Sequence, residues 1–129
     1  MFDYMTYLKK KDSLSFEDSL DIYNSISKVL ENQDDYLHEV WEEVVNSALA
    51  YSKMRTDWNY FSREEKQEKD KLRTGLHNTF IINLKAFHKL VEQMGLNGEW
   101  MEKLRLPEER KRWGDFAGYI ICFENIKAR

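Results

Sequence analysis

From residue 15 onward the apolar positions of this chain recur at steps of three and four, the spacing that puts side chains on one face of an α-helix. Ser15 with Asp18 three residues later resembles a capping box. It opens a helix whose face carries Phe16, Leu20, Tyr23, Ile26 and Leu30, and the polar run Glu31 to Asp35 ends it. Asp34 or Asp35 caps a second helix with Leu37, Trp41, Val44, Ala48 and Tyr51 on its seam, lasting to about Arg55. Phe61, Ser62 and Glu65 then supply a capping box preceded by an apolar residue. A helix of about thirty residues follows to Met94, with Leu72, Leu76, Phe80, Asn83, Phe87, Leu90 and Met94 as its predicted seam. Gly95-Leu96 has the pattern of a left-handed C-terminal cap, and Asn97-Gly98 that of a turn. Met1, Tyr4, Met5 and Leu8 suggest one short helix before all this, and residues 99 to 105 suggest another after it.

Pro107, followed by Glu108 and Glu109, starts the last helix. Between 113 and 123 this helix is apolar or small around almost its whole circumference, with Gly114, Gly118 and Cys122 forming a small-residue strip. Such a helix belongs in the middle of a bundle, and the long helix is expected against it. The fold expected is therefore all-α: one domain over 1–129, a bundle of four main helices plus one or two short accessory ones, with the last helix central.

Composition narrows the class more than the function. One Pro and five Gly among 129 residues leave few turns, and the single Cys122 cannot form an internal disulfide, which predicts a cytoplasmic chain. The longest apolar run, Tyr119 to Phe123, is far below the roughly 20 residues that span a bilayer, so no membrane partner is expected. The net charge of −3 hides an asymmetry. Residues 1–56 carry 6 Lys+Arg against 11 Asp+Glu, whereas 57–129 carry 14 against 12. The acidic, ring-bearing first half offers a candidate partner face at Tyr36, Glu39, Trp41, Glu42 and Glu43.

Three groups of residues carry candidate chemistry. In DKLRTGLHN, residues 70–78, Arg73 lies three residues from Asp70 and four from His77, spacings at which helix side chains meet. Asp115 is the lone acid between 113 and 123, and a carboxylate there needs a partner. The reading that follows is a polar clamp of Arg73, His77 and Asp115 between the long and last helices, with a His77/Asp115 acid–base pair as its catalytic alternative. A metal is not expected: His77 and His88 stand about 16 Å apart along one helix, and Asp35 with His38 is the only carboxylate-x-x-His pair of the di-iron kind. No cofactor motif is present. Lys103, Arg105, Arg110, Lys111 and Arg112, interleaved with Trp100 and Trp113, form the third group, a candidate nucleic-acid patch diluted by Glu99, Glu102, Glu108 and Glu109.

The segment DKLRTGLHN, with RKRWGDFAGYIICFENIKAR after it, resembles a pattern of short helical proteins from low-GC bacteria and their phages or mobile elements. The matching positions are Arg73, Thr74, His77, Asn78, Gly114, Asp115, Phe116 and Ala117. The resemblance implies a helical fold and a mobile-element origin, without an activity. The expectation drawn from the whole sequence is a non-enzymatic protein-interaction or regulatory module, binding a protein partner or a second copy of itself as a homo-dimer. Nucleic-acid binding through residues 100–113 and a small enzyme at His77/Asp115 are the alternatives.

Overall fold

The computed structural model describes residues 14–105 and 110–127; the side chain of Arg110, the predicted N-terminal helix and Pro107 lie outside the described residues. Five helices account for nearly all of it: α1 (Phe16–Leu30), α2 (Asp35–Trp58), α3 (Arg63–Gln93), the short α4 (Trp100–Arg105) and α5 (Arg110–Lys127). There is no strand among the described residues, and the all-α bundle follows directly.

The helix ends obey local chemistry. Ser15 accepts from the Asp18 N–H at 3.1 Å, and Asp34 from the Leu37 N–H at 3.3 Å. Ser62 and Glu65 form a reciprocal capping box, Ser62 Oγ taking the Glu65 N–H and Glu65 taking the Ser62 N–H. At the far end of α3, Gly95 adopts φ +74°, which lets the Leu96 N–H reach back to the Val91 carbonyl at 3.0 Å. α2 runs one turn further than its apolar seam suggests, because Thr56, Asp57 and Trp58 continue a helix that nothing in the sequence stops before Asn59.

Four residues, 59–62, join α2 to α3, so the two lie antiparallel. The pairings descend along one as they ascend the other: the Trp41 ring meets Phe87 at 5.1 Å, Asn83 donates to the Glu43 carbonyl at 3.3 Å, and the Tyr51 ring meets His77 at 4.9 Å. α5 is buried throughout 113–123 and touches all four other helices, as its all-round apolar character requires. The long helix, however, leans mainly on α2 and only lightly on α5. Here the structure departs from the sequence expectation. α2 offers α3 a length of apolar seam that matches its own, whereas α5 spends its surface on four neighbours.

The buried face of α3 is also rotated from the predicted seam. His77, Phe80, Leu84, Phe87 and Val91 are buried, while Leu72 is 53% and Met94 38% exposed. The first turns of α3 lie beyond the body of the bundle, so Leu72 finds no core to enter. This rotation moves His77 from the flank of the seam onto it.

Candidate functional site

Antiparallel pairing sets side chains of α2 against side chains of α3 that are far away in sequence. Tyr51 and Arg55, one turn apart on α2, face Arg73, Thr74 and His77 on α3. Lys111 closes the third side from α5, and together these six line a cleft of about 360 Å³. Its lining contains three cations, one imidazole, a phenol and a hydroxyl, and no carboxylate among the described residues.

Behind this lining lies Asp115, fully buried, with the Arg55 guanidinium 2.8 Å from its carboxylate. The ion pair fixes the Arg55 side chain against the wall of the cleft. Gly114 lies against two of the lining rings. A β-carbon there would stand 3.1 Å from Tyr51 Oη and 3.3 Å from His77 Nε2, so the absence of a side chain is what lets both rings settle against the α5 backbone. His77 is 7% exposed, with Tyr51 packed on its ring. Arg73 sits at the outer edge. Its guanidinium carbon lies 4.2 Å from the centre of the Trp58 ring, and its charge is 3.8 Å from Asp70.

The predicted clamp is therefore altered. Asp115 does face the α2–α3 hairpin, and Arg55 of α2 reaches it; Arg73 turns outward onto Trp58 and Asp70, because the buried face of α3 gives way to the open end of the bundle at that turn. His77 is in the cleft beside Gly114. Sequence reasoning missed Tyr51, Arg55 and Thr74 as site residues. A signal for Arg55 existed: it follows Tyr51 by four residues and so continues the apolar seam of α2 with a charge.

The other candidate groups disperse. Trp41 is 5% exposed and cannot belong to a surface partner face; it packs inward because its indole bridges Tyr23 and Phe87, leaving Tyr36, Glu39, Glu42 and Glu43 exposed around it. Within the basic cluster, Lys103 reaches Asp21 at 3.4 Å and Arg105 pairs with Glu102. Arg112 donates to the carbonyls of Lys103 and Leu104, tying α4 to the start of α5. Trp100 and Trp113 are both buried, so neither can offer a ring to a base. Among the described residues of this cluster, Lys111 lines the cleft. Asp35 and His38 are exposed, and no group of three or more metal-ligating side chains gathers among the described residues. None of the described helices is long and apolar enough to cross a membrane.

A second opening lies on the α1–α5 side. Phe16, Leu20, Tyr23, Phe123 and Ile126, with Asn24, Ser27, Glu31 and Lys127 at their edges, line an apolar groove of about 460 Å³. Beneath it Glu124 accepts from the Tyr23 hydroxyl and, at 3.3 Å, from the Trp41 indole. Burial, reinforced by the neighbouring Glu124 carboxylate, drives the Tyr23 phenol well above its ordinary range. Burial pushes the Cys122 thiol up to about 12, which favours its protonated form at neutral pH. No family model, curated protein or solved structure matches this chain.

Proposed function

We propose that this domain is a small regulatory binding module whose cleft takes an oxyanion, with a phosphate group as the chemistry that fits best. One observation carries the reading. Among the described residues the cleft between α2, α3 and the start of α5 is lined by Arg55, Arg73, Lys111, His77, Tyr51 and Thr74; each of these side chains can donate a hydrogen bond and three are permanently charged. Guanidinium groups bind phosphate oxygens in pairs of parallel N–H bonds, and two of them here approach from opposite helices. Asp115 serves this arrangement from behind. It holds the Arg55 guanidinium in place without itself lining the cleft.

A functional module would also need the site to survive without its ligand. The Arg55–Asp115 pair and the packing of Tyr51 on His77 hold the inner half of the cleft in place, so little reorganisation is required on binding.

The test is titration with inorganic phosphate, followed by the chemical shifts of the His77 ring and by calorimetry. The expected result is saturable binding that weakens as salt is added and that falls at least tenfold in Arg73→Ala and in Lys111→Ala, two changes that leave the buried core intact. Saturation without any movement of the His77 resonances, or wild-type affinity retained in both variants, would place the anion elsewhere and overturn the reading.

A further inference from the structure

The edge of the cleft is aromatic, and that narrows its ligand. Three of the four tryptophans are buried: Trp41, Trp100 and Trp113 are 4 to 6% exposed. Trp58 differs. It ends α2 at the corner leading to α3, is only half-buried, and carries the Arg73 guanidinium against its ring. Since Arg73 also lines the cleft, the ring and the cationic site are contiguous through one side chain. Two residues on, Tyr60 is 85% exposed, and Phe61 meets Trp58 edge-on at 6.0 Å with Lys69 Nζ 5.4 Å from its own ring centre. The corner thus presents rings and cations in alternation. Leaving a tyrosine almost wholly in water has no packing benefit for the domain itself.

We infer that the ligand is a nucleotide, its phosphate held among Arg55, Arg73, Lys111 and His77 and its base stacked at the Trp58–Tyr60 corner; this rests on the oxyanion reading above. Any base has a flat face to offer such rings, and the cleft volume lies in the range of small-molecule sites. A single nucleotide fits better than a strand. Beyond the corner the surface of α3 carries exposed Glu64, Glu65, Glu68 and Asp70, which would repel a continuing phosphate backbone.

The experiment compares four probes on the full chain: inorganic phosphate, ribose 5-phosphate, adenosine and adenosine 5′-monophosphate, with a short oligoadenylate as a fifth. The monophosphate is expected to bind about tenfold tighter than ribose 5-phosphate, to quench Trp58 fluorescence, and to bind at least as tightly as the oligomer per site. Tyr60→Ala should reduce that advantage while leaving ribose 5-phosphate affinity within twofold, and Trp58→Leu, which also removes the ring against which Arg73 rests, should weaken both ligands. Trp58→Phe should restore most of the lost affinity. Tyr60 is a surface residue, so its variant tests the proposal even if the Trp58 changes disturb folding. Equal binding of monophosphate and ribose 5-phosphate would overturn the nucleotide while leaving the oxyanion site standing; a much tighter oligomer would overturn the single-nucleotide assignment. Failure of all five probes would remove both readings together.

Discussion

Asp115 and Glu124 stand on the same helix, roughly two and a half turns apart, and each is a carboxylate brought into the interior of the bundle. They are treated differently. Asp115, fully buried, is met by a charge, the Arg55 guanidinium at 2.8 Å. Glu124, half-buried, is met by two neutral donors, the Tyr23 hydroxyl and the Trp41 indole. The difference follows from depth. A carboxylate removed entirely from water costs several kcal/mol unless a cation accompanies it, whereas one that keeps some water can be satisfied by neutral hydrogen bonds. It also separates the two openings of the molecule. The Asp115 end has a cation held in a polar cleft, and the Glu124 end has rings locked around an apolar groove.

The largest effect expected is at the Asp115 end. Arg55→Ala removes the guanidinium 2.8 Å from a fully buried carboxylate and should cost about 3–5 kcal/mol in urea unfolding. Adding Asp115→Asn should recover a large part of that loss. A cost below about 1 kcal/mol would mean that depth does not govern the choice of partner, and the contrast would fail.

A pH effect is expected at the other end. The Cys122 thiol stands at about 12 in the folded chain against 9.0 ordinarily, and the Tyr23 phenol is raised as well. The unfolded chain therefore loses these protons first. Stability should be fully present below pH 9 and decline as pH rises, through Cys122 above pH 9 and through Tyr23 above pH 10, by about 1.4 kcal/mol per pH unit for each group while it titrates only in the unfolded state. Tyr23→Phe and Cys122→Ala should each flatten the decline, and Arg55→Ala should leave its slope unchanged. Alkaline melting curves with identical slopes in all three variants would refute this assignment.

At neutral pH the Tyr23→Phe change removes one of two neutral donors from a carboxylate that retains water. A loss of about 1 kcal/mol is expected, well below that of Arg55→Ala. Equal losses from the two variants would erase the distinction between charged and neutral partners. The smallest effect is at the corner that carries Trp58: Ser62→Ala removes the α3 cap and should cost about 1 kcal/mol. The cap also has a pH signature. Hydrogen bonds from Ser62, backbone first and hydroxyl second, hold the Glu65 carboxyl below its ordinary value, so its contribution is present at neutral pH and lost as pH falls through the folded value. In Ser62→Ala that acid-side decline should shrink.

Much of the architecture was legible in the residues. Helix starts at Ser15, Asp34 and Ser62, the glycine stop at Gly95, and the central burial of α5 all depend on neighbours within a few positions or on the periodicity of one segment. The face of α3 was less legible. Leu76 and Leu72 are more apolar than His77, yet His77 is buried and Leu72 exposed, because the bundle ends before α3 does. The candidate site was half legible: His77 and Asp115 stood out as polar groups near apolar seams, and both were placed at the same end of the bundle. Asp115 points to Arg73 or His77 only through its need for a partner; helical spacing points Arg73 to Asp70 or His77, and Asp70 is 3.8 Å from its charge.

By itself the sequence determined the helices, their caps, the number of main elements and the need of Asp115 for a partner. These are local energies, set by hydrogen bonds and side-chain spacing over a turn or two. Only the tertiary structure decided which cation answers Asp115, that Trp41 faces inward while Trp58 stays at the rim, and that Tyr51, Arg55, Arg73, Thr74, His77 and Lys111 share one cleft. The physical reason is that helix pairing is chosen by the fit of whole apolar faces. The polar groups at their margins are carried along, and meet wherever that packing leaves them.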